Sequence, residues 1–433
     1  MLAPPHPLKR LRVGLLGFGV VGSGTHAVLA GNRATITARA GCAIDLTMIA
    51  TRTPARARDA VGPEIEVLAD PMRLVRHPSI DVVVEAMGGT GAARECVLAA
   101  IAHGKRVVTA NKALLALHGQ EIFAAARAAG VSVSFEGAVA VSIPIVKALR
   151  EGLAGNRIEW LAGIVNGTCN YVLTQMRDEG RPYEDALRDA QALGYAEADP
   201  ALDVGGGDAA HKLSLLAAMA FGGAPRFDDI QVEGIRGLQA ADFAHAARLG
   251  HAIKLLAVAR REGDRLQLRV HPALLSADTL LARVDGRMNG ILVKGNASGV
   301  TMYYGAGAGS RETASAVVAD LVDVARAWRQ GAPVAVPPLG FHDDVDVPGE
   351  VEPIAALKLR QYLRVPLAQA DAAPAVLQLL GEHGVKALHR FEGEQDLALI
   401  TREVEETQAE RAVRAIGALA RGDVVRLRVE ELA

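Results

Sequence analysis

Residues 11–16, LRVGLL, form a short apolar run that leads directly into Gly17-Phe18-Gly19-Val20-Val21-Gly22, and an Ala-rich stretch then continues to about Ala40. A strand delivered by such a turn into a helix leaves few folds open. The first glycine permits a tight turn, the second lets backbone N–H groups approach a pyrophosphate, and the third allows close packing of helix on strand. The bland alternative is a plain Gly-rich turn. The strand before it, the helix after it and the βαβ unit it opens favour dinucleotide binding.

The segments that follow keep the same alternation. CAIDLTMIATR (42–52) reads as a second strand, and DVVVEAM (81–87) is the near-continuous apolar run of a central parallel strand. ARECVLAAIAHG is an amphipathic helix ended by Gly104, KRVVTA begins the next strand, and EIFAAARAAG ends at Gly130 before the strand VSVSFEG. Strands and helices of these lengths predict an α/β fold, a Rossmann-type doubly wound parallel sheet over residues 1–143.

Beyond it the pattern is mixed. Residues 144–311 predict a second, α+β domain: IEWLAGIVNG as a strand entering a loop, YEDALRDAQALG as a helix, and RLQLRVHPALL and ILVKGNASGVTMYYGAGAG as strands of another sheet. The amphipathic helix 312–329 is expected to pack back on the first domain. Residues 330–350, rich in Pro, Gly and Asp, read as a linker. Residues 351–433 run β-α-β-β-α-β, a small ferredoxin-like module.

Charge and cysteines exclude several classes of protein. With 47 Lys and Arg against 49 Asp and Glu the net charge is −2, which favours neither nucleic acid nor an anionic membrane as partner. No apolar run approaches the roughly 18–20 residues of a membrane span. The apolar stretch after LKRLR is broken by glycines every two to three residues, unlike the helical core of a signal peptide. Cys42, Cys96 and Cys169 lie far apart without metal-ligand spacing, as small buried side chains of a cytoplasmic protein would.

Four further features bear on chemistry. At the end of the second strand, where an acidic residue would take an NAD ribose hydroxyl, the chain has Thr51-Arg52; Arg52 can pair with the 2′-phosphate of NADP, or be one more exposed arginine beside Arg56 and Arg58. Lys112, in TANK, follows a strand at its carboxyl end, where open α/β sheets bind ligands, although a surface lysine fits the position equally. The segment IVNGTCNY, Ile164 to Tyr171 with Thr168, is a cluster of small polar groups that reads equally well as a turn satisfying its own backbone. Finally, GYAEADPALDVGGGDAAHKLSLLAAM carries Asp203, Asp208 and Lys212 into a helix that is otherwise apolar on every side. An i,i+4 ion pair gives only about 0.3–0.5 kcal/mol on a helix surface and is costly to desolvate. A polar cleft that takes a zwitterionic substrate is the better account, with acids for an ammonium and the lysine for an oxygen that gains or loses a proton. On that account Asp208 and Lys212 hold separate posts rather than forming a salt bridge.

The motifs GFGVVG, EAMGGT, VTANKALLA, FEGAVAVSIPIVKALRE, GIVNGTCNYVLTQM, AQALGYAEADPALDVGGGDAAHKLSLLA and GAGAGSRETASAVVADL, spread over residues 10–330, resemble the homoserine dehydrogenases of monofunctional bacterial type. The resemblance implies pyridine-nucleotide-dependent interconversion of L-homoserine and L-aspartate 4-semialdehyde, within threonine, methionine and isoleucine biosynthesis. It implies Lys212 as proton donor, Glu197 and Asp208 as substrate ligands with Asp203 and Thr168 beside them, and Lys112 near nicotinamide and substrate. Gly17, Phe18, Gly19, Val20, Val21, Gly22, Arg52, Lys112, Gly194 and Gly309 would meet the cofactor, NADP with NAD as the alternative. A structural sodium ion would sit on Glu136 and the backbone carbonyls of Val139, Val141 and Ile143, hard oxygen ligands. The chain departs from the family pattern at Val141-Ser142, where paired glycines are usual, and at Glu312, where proline is common. The C-terminal module resembles an ACT domain, which implies a threonine effector, but its loop PLAQADAAPAVL lacks the usual Asp-x-Pro-Gly turn, so a structural or dimerising module is the rival. A homodimer or dimer of dimers is implied by resemblance alone. Another dehydrogenase of small amino-acid aldehydes, and a silent paralogue that binds nucleotide and senses an amino acid, are the competing functions.

Overall fold

The computed structural model describes residues 9–331, 336–342, 349–369, 371–393 and 395–432, so parts of the 330–350 linker lie outside the described residues. The chain divides into two compact units, residues 1–157, 214–227 and 305–347 in the first and 158–213, 228–304 and 348–433 in the second.

The first unit is built on strands β1 (Arg10–Leu16), β2 (Ala43–Ala50), β3 (Glu66–Leu68), β4 (Val82–Glu85), β5 (Arg106–Thr109) and β6 (Val133–Ser134), in the order β3-β2-β1-β4-β5-β6. Every pairing is parallel. Strand order reverses between β1 and β4, and such a switch point opens a crevice at the carboxyl ends of the strands. Leu11, Val13, Leu15, Val82 and Val84 are fully buried, and Val317, Leu321 and Ala325 of the helix Ser310–Gln330 join the same core.

Two local departures from the sequence pattern have physical causes. The Ala-rich stretch is two helices, Val20–Gly31 and Arg33–Ala40, because Asn32 leaves helical geometry at φ −111° and ψ 19° while its N–H still closes on Val28. In VSVSFEG only Val133–Ser134 pairs with β5, and Glu136–Ala138 turns into a 3₁₀ helix. There the Glu136 N–H donates to Asp320 at 2.8 Å, which draws the chain off the sheet.

The second unit contains β7 (Ile158–Ile164), β8 (Gln231–Val232), β9 (His251–Glu262), β10 (Arg265–Ser276), β11 (Met288–Gly295), β12 (Gly299–Ala306), β13 (Lys358–Pro366), β14 (Ala387–Glu392), β15 (Asp396–Thr401), β16 (Val404–Glu405) and β17 (Val425–Val429). They make one mixed sheet in the order β12-β11-β7-β9-β10-β17-β13-β15-β14, with β8 on β10 and β16 on β13. The C-terminal βαββαβ segment supplies β17-β13-β15-β14, and its helices Ala373–Glu382 and Glu406–Ile416 bury Val376, Leu380, Ala409, Ala412 and Ile416 in its own core. It continues the neighbouring sheet, because β17 pairs in parallel with β10.

That junction is ionic. Arg269 grips Glu430 with two bonds of 2.7 and 2.8 Å, and His271 Nε2 lies 3.0 Å from the same carboxylate. Arg428 holds Glu233 at 2.9 and 2.9 Å and Glu406 at 2.8 and 3.0 Å. Glu430 is fully buried, and the charges of Arg269 and His271 overcome the cost of burial and hold its carboxyl far below the usual range. A depressed pKa contributes stability that is present in full above the unfolded value near 4.5 and is lost as pH falls through the folded one. Glu430→Gln leaves Arg269 without its counter-charge, so urea unfolding at pH 7 should show a loss of ~3–5 kcal/mol. The deficit relative to wild type should persist at pH 5 and shrink only in strongly acidic solution.

Candidate active site

In the first unit the Gly17–Gly22 turn is as tight as its sequence requires. Gly17 has φ +91°, and a Cβ there would lie 2.5 Å from the Ala86 carbonyl oxygen; one on Gly22 would lie 2.2 Å from the Gly17 oxygen. Gly19 differs, since a Cβ there meets nothing within 4 Å. Open space over Gly19, at the N-terminus of the helix Val20–Gly31, is where a phosphate is accommodated by backbone N–H groups and the helix dipole. A second helix starts beside it: the Ser310 hydroxyl donates to the Val20 carbonyl at 2.7 Å, and Gly309, at φ +146°, precedes Ser310–Gln330. Phe18 is buried, Val21 partly buried and Val20 70% exposed beside that opening. Arg52 is exposed just past the end of β2.

The carboxyl ends of β4 and β5 are braced by groups that sequence reasoning did not single out. Fully buried Glu85 accepts from the Thr109 hydroxyl at 2.6 Å and from the Met87 N–H at 2.8 Å. Asn111 donates to the Gly89 carbonyl at 2.7 Å and caps the next helix by accepting from the Leu114 N–H at 3.1 Å. Lys112 is the first residue of that helix and is half-buried. The cross-brace fixes where it starts.

Glu136 is buried, and its carboxylate accepts the Val146 and Lys147 N–H groups, each at 3.0 Å. Asp320 is buried beside it, with its carboxyl pushed up to about 7 by burial and by the Glu136 charge. Ala140 and Val141 both adopt left-handed backbone, φ 51° and 46°, so the strained pair stands one residue before Val141-Ser142. Ser142 instead donates its hydroxyl to the Ala306 carbonyl at 2.8 Å. The buried carboxyl groups of Glu136 and Asp320 are the oxygen-rich feature of this turn. A β-branched residue in left-handed geometry costs roughly 1–2 kcal/mol. Val141→Gly should therefore raise stability by ~1 kcal/mol, readable as an upward shift of about 1 °C in the melting midpoint.

In the second unit four polar side chains meet. Lys212 is 6% exposed, and its ammonium donates to the Val165 carbonyl at 2.6 Å and to Asp208 Oδ2 at 2.7 Å. Asp208 and Lys212 thus form a direct salt bridge, which corrects the expectation that they would not pair: a buried ammonium takes the carboxylate one helical turn away as its counter-charge. Asn166 Nδ2 donates to Asp203 Oδ1 at 2.7 Å and to Asp208 Oδ2 at 2.8 Å. Its Oδ1 accepts the Cys169 N–H at 2.7 Å and so caps the helix Gly167–Glu179. Further along the same helix, in the stretch 214–227 that belongs to the first unit, Leu215 and Met219 are buried at 0% and 2% exposure. Thr168 is buried and donates to the Tyr195 carbonyl at 2.7 Å. Glu197 is exposed on the following turn, where Gln191 holds its carbonyl at 3.1 Å, and Gly194 is exposed with φ +72°. Cys169 Sγ donates to the Asp203 carbonyl at 3.2 Å, and burial pushes its thiol well up, which makes it an inert packing group.

Asn166 is the residue most easily missed, because in sequence an Asn before a helix signals only an N-cap. A Gly-rich turn on a six-stranded parallel sheet, and a second unit with a buried lysine among carboxylates, define an NAD(P)-binding oxidoreductase of small polar substrates. Comparison with known proteins makes the assignment specific. Residues 17–136 match the family "Homoserine dehydrogenase, NAD binding domain" and residues 144–322 match "Homoserine dehydrogenase". The chain is 49% identical to the homoserine dehydrogenase of Pseudomonas aeruginosa over 98% of this chain and all of that one. It is 47% identical to that of Neisseria gonorrhoeae, with 86% and 84% covered. A crystal structure of a homoserine dehydrogenase from Thiobacillus denitrificans superposes with TM-score 0.92 at 48% identity, covering 99% and 100% of the two chains. A hyperthermophilic archaeal homoserine dehydrogenase solved in complex with NADPH gives TM-score 0.63 at 26% identity, covering 73% of this chain and 97% of that one. The chain belongs to the homoserine dehydrogenase family, and its activity is the NAD(P)-dependent interconversion of L-homoserine and L-aspartate 4-semialdehyde.

Asn166→Ser keeps a helix-capping oxygen but is too short to reach both carboxylates. We expect kcat/KM for homoserine to fall roughly 10–100-fold while the variant loses no more than about 1–2 kcal/mol of stability. An equal loss in Asn166→Ser and in a variant that merely removes the cap would refute the bridging role.

Proposed function

We propose that the reaction is carried out by Lys212, Asp208, Asp203 and Glu197 of the second unit, with Lys112 as a further basic group and NADP(H) as the preferred nucleotide. The bound nucleotide supplies or accepts the hydride at the substrate's terminal carbon. In the reductive direction the carbonyl oxygen becomes an alkoxide, and Lys212 gives it a proton; in the oxidative direction the neutral amine takes the hydroxyl proton. The observation that carries this assignment is the Lys212 ammonium, buried and aimed at one carboxylate and one carbonyl. Asp208, with Glu197 and Thr168, holds the substrate, whose α-ammonium calls for acids; Asp203 steadies Asp208 through Asn166.

Gly17, Phe18, Gly19, Val20, Val21, Gly22, Gly194 and Gly309 line the nucleotide's path, and Arg52 supports NADP over NAD because an exposed guanidinium past β2 suits a 2′-phosphate. Glu136 with the carbonyls of Val139, Val141 and Ile143 holds a structural sodium ion, which the two buried carboxylates favour electrostatically. The C-terminal βαββαβ module is ACT-like and takes threonine as effector. The enzyme is a cytoplasmic homodimer or dimer of dimers of the threonine and methionine pathways. Pairing is supported by β12, an edge strand with Val300 and Tyr304 47% and 58% exposed. Among the described residues no helix is long and apolar enough to cross a membrane.

The test is homoserine-dependent reduction of NADP and of NAD by the purified protein. Lys212→Ala should lower kcat by about 10²–10⁴-fold and leave nucleotide binding intact. Retention of wild-type kcat by that variant sinks the proton-donor assignment. Threonine added to the wild-type assay should raise the KM for homoserine or lower kcat; unchanged kinetics refute the threonine effector.

A further inference from the structure

The groups that the second unit offers the substrate do not match its charges. Asp203, Asp208 and Glu197 are carboxylates, and of the four residues only Lys212 is a cation. Homoserine and aspartate semialdehyde each carry an α-ammonium and an α-carboxylate. The acids answer the ammonium and the lysine answers the reacting oxygen. The α-carboxylate is then left beside like charges unless a further cation meets it.

Arg287, in the same unit, has the chemistry and the place. It is exposed, and among the described residues its guanidinium makes no hydrogen bond or ion pair. It lies over the Tyr195 ring, with Cζ 5.6 Å from the centroid. A guanidinium held over a ring keeps its edge N–H groups available for a planar carboxylate. The ring itself is fixed: Tyr171 meets it edge-on, with centroids 5.1 Å apart and planes at 72°. The Tyr195 carbonyl accepts the Thr168 hydroxyl at 2.7 Å, and Glu197 follows two residues on. The free cation therefore stands beside residues already assigned to the substrate.

An exposed arginine is ordinarily a mobile surface charge, but the backbone that carries this one is tied down on both sides. Lys254, 1% exposed, donates to the Val284 carbonyl at 2.6 Å and to Asp285 Oδ1 at 2.7 Å. Asn170 donates to the carbonyls of Val284 and Met288 at 3.0 and 3.1 Å. The Gly286 N–H donates to the Thr174 hydroxyl at 3.0 Å, and Arg177 reaches Asp285 at 2.7 Å. Residues 170, 174 and 177 recur at helical spacing, so one face of the helix Gly167–Glu179 is committed to the bend 284–288. A Cβ on Gly167 would lie 2.8 Å from the Arg287 carbonyl oxygen, so the bend rests on the start of that helix, next to Thr168. A buried ammonium is costly to desolvate, and a surface bend calls for one only where it must hold a side chain in a fixed place. We propose that Arg287 binds the α-carboxylate of the substrate.

This inference rests on the assignment of the substrate site to Lys212 and its neighbouring acids, and it adds the contact which that assignment lacks. The full-length protein is assayed with L-homoserine and with L-homoserinamide, in which a neutral amide replaces the carboxylate; the amide is followed both as substrate and as competitive inhibitor. In Arg287→Gln the KM for homoserine should rise roughly ten-fold or more, with kcat within about two-fold of wild type. The constants for homoserinamide should stay within about two-fold of wild type in the same variant. Arg287→Lys should recover only part of the loss, because an ammonium keeps the charge without the planar fork. An unchanged KM for homoserine in Arg287→Gln overturns the carboxylate contact. Equal losses on homoserine and homoserinamide overturn it too, since an arginine that merely supports the fold would affect both alike. Lys212→Ala in the same assays keeps the two assignments apart: wild-type kcat there strikes the Lys212 site, while the contrast between the two substrates in Arg287→Gln still decides the carboxylate contact.

Discussion

A buried ammonium on an apolar helix is the constraint around which the second unit is organised. Lys212 is only 6% exposed, so its donors need acceptors within the protein, and a lone i,i+4 carboxylate does not repay the desolvation. The Val165 carbonyl at the end of β7 provides one more acceptor, and Asn166 secures the carboxylate from the other side. The geometry therefore couples three elements: a strand end, the cap of Gly167–Glu179, and the start of Gly207–Phe221. Because the cap and the bridge are made by one side chain, the helix cannot be well terminated unless the two aspartates are also in register.

The glycines ahead of that helix belong to the same arrangement. Gly206 has φ +86°, and the turn lies so close to residues 232–235 that a methyl group on either side would collide with backbone or with a branched side chain. Glycine here serves close approach as much as conformation. In the first unit Glu85 does comparable work through Thr109, with Asn111 clamping Gly89, so that two strand ends and a helix start share one hydrogen-bonded frame. In both units a buried polar side chain, satisfied by partners distant in sequence, sets the position of a lysine.

How much of this was legible in the sequence depends on whether the signal is local. The Rossmann-type sheet was, since apolar strands, Gly-ended helices and the GFGVVG turn each state their structure within a few residues. The odd placement of Asp208 and Lys212 was equally visible, but their direct contact was misjudged. Spacing says that two side chains share a face, and only the surroundings say whether solvent, substrate or the partner satisfies them. Asn166 carried a local signal, the cap, that hid a second role. The split at Asn32 and the early end of β6 hinge on single backbone departures that periodicity averages away.

The parallel pairing of β10 with β17 had no local signature, since roughly 155 residues separate the partners. One trace of it was present. In VVRLRVEEL the residues Arg426, Arg428 and Glu430 recur with period two, which sets three charges on one face of a strand otherwise rich in apolar residues. On an edge strand facing water such a face is ordinary; on an interior strand every charge needs a partner. The structure supplies each one: Glu406 for Arg426, Glu233 and Glu406 for Arg428, and Arg269 with His271 for Glu430. Buried pairs of this kind roughly break even in stability against apolar packing, so their contribution is geometric. They permit one register of the module against β10, and with it one position of residues 233–242 above the Lys212 turn. A C-terminal module held by apolar packing could slide along β10; one held by directional ion pairs has a single seat.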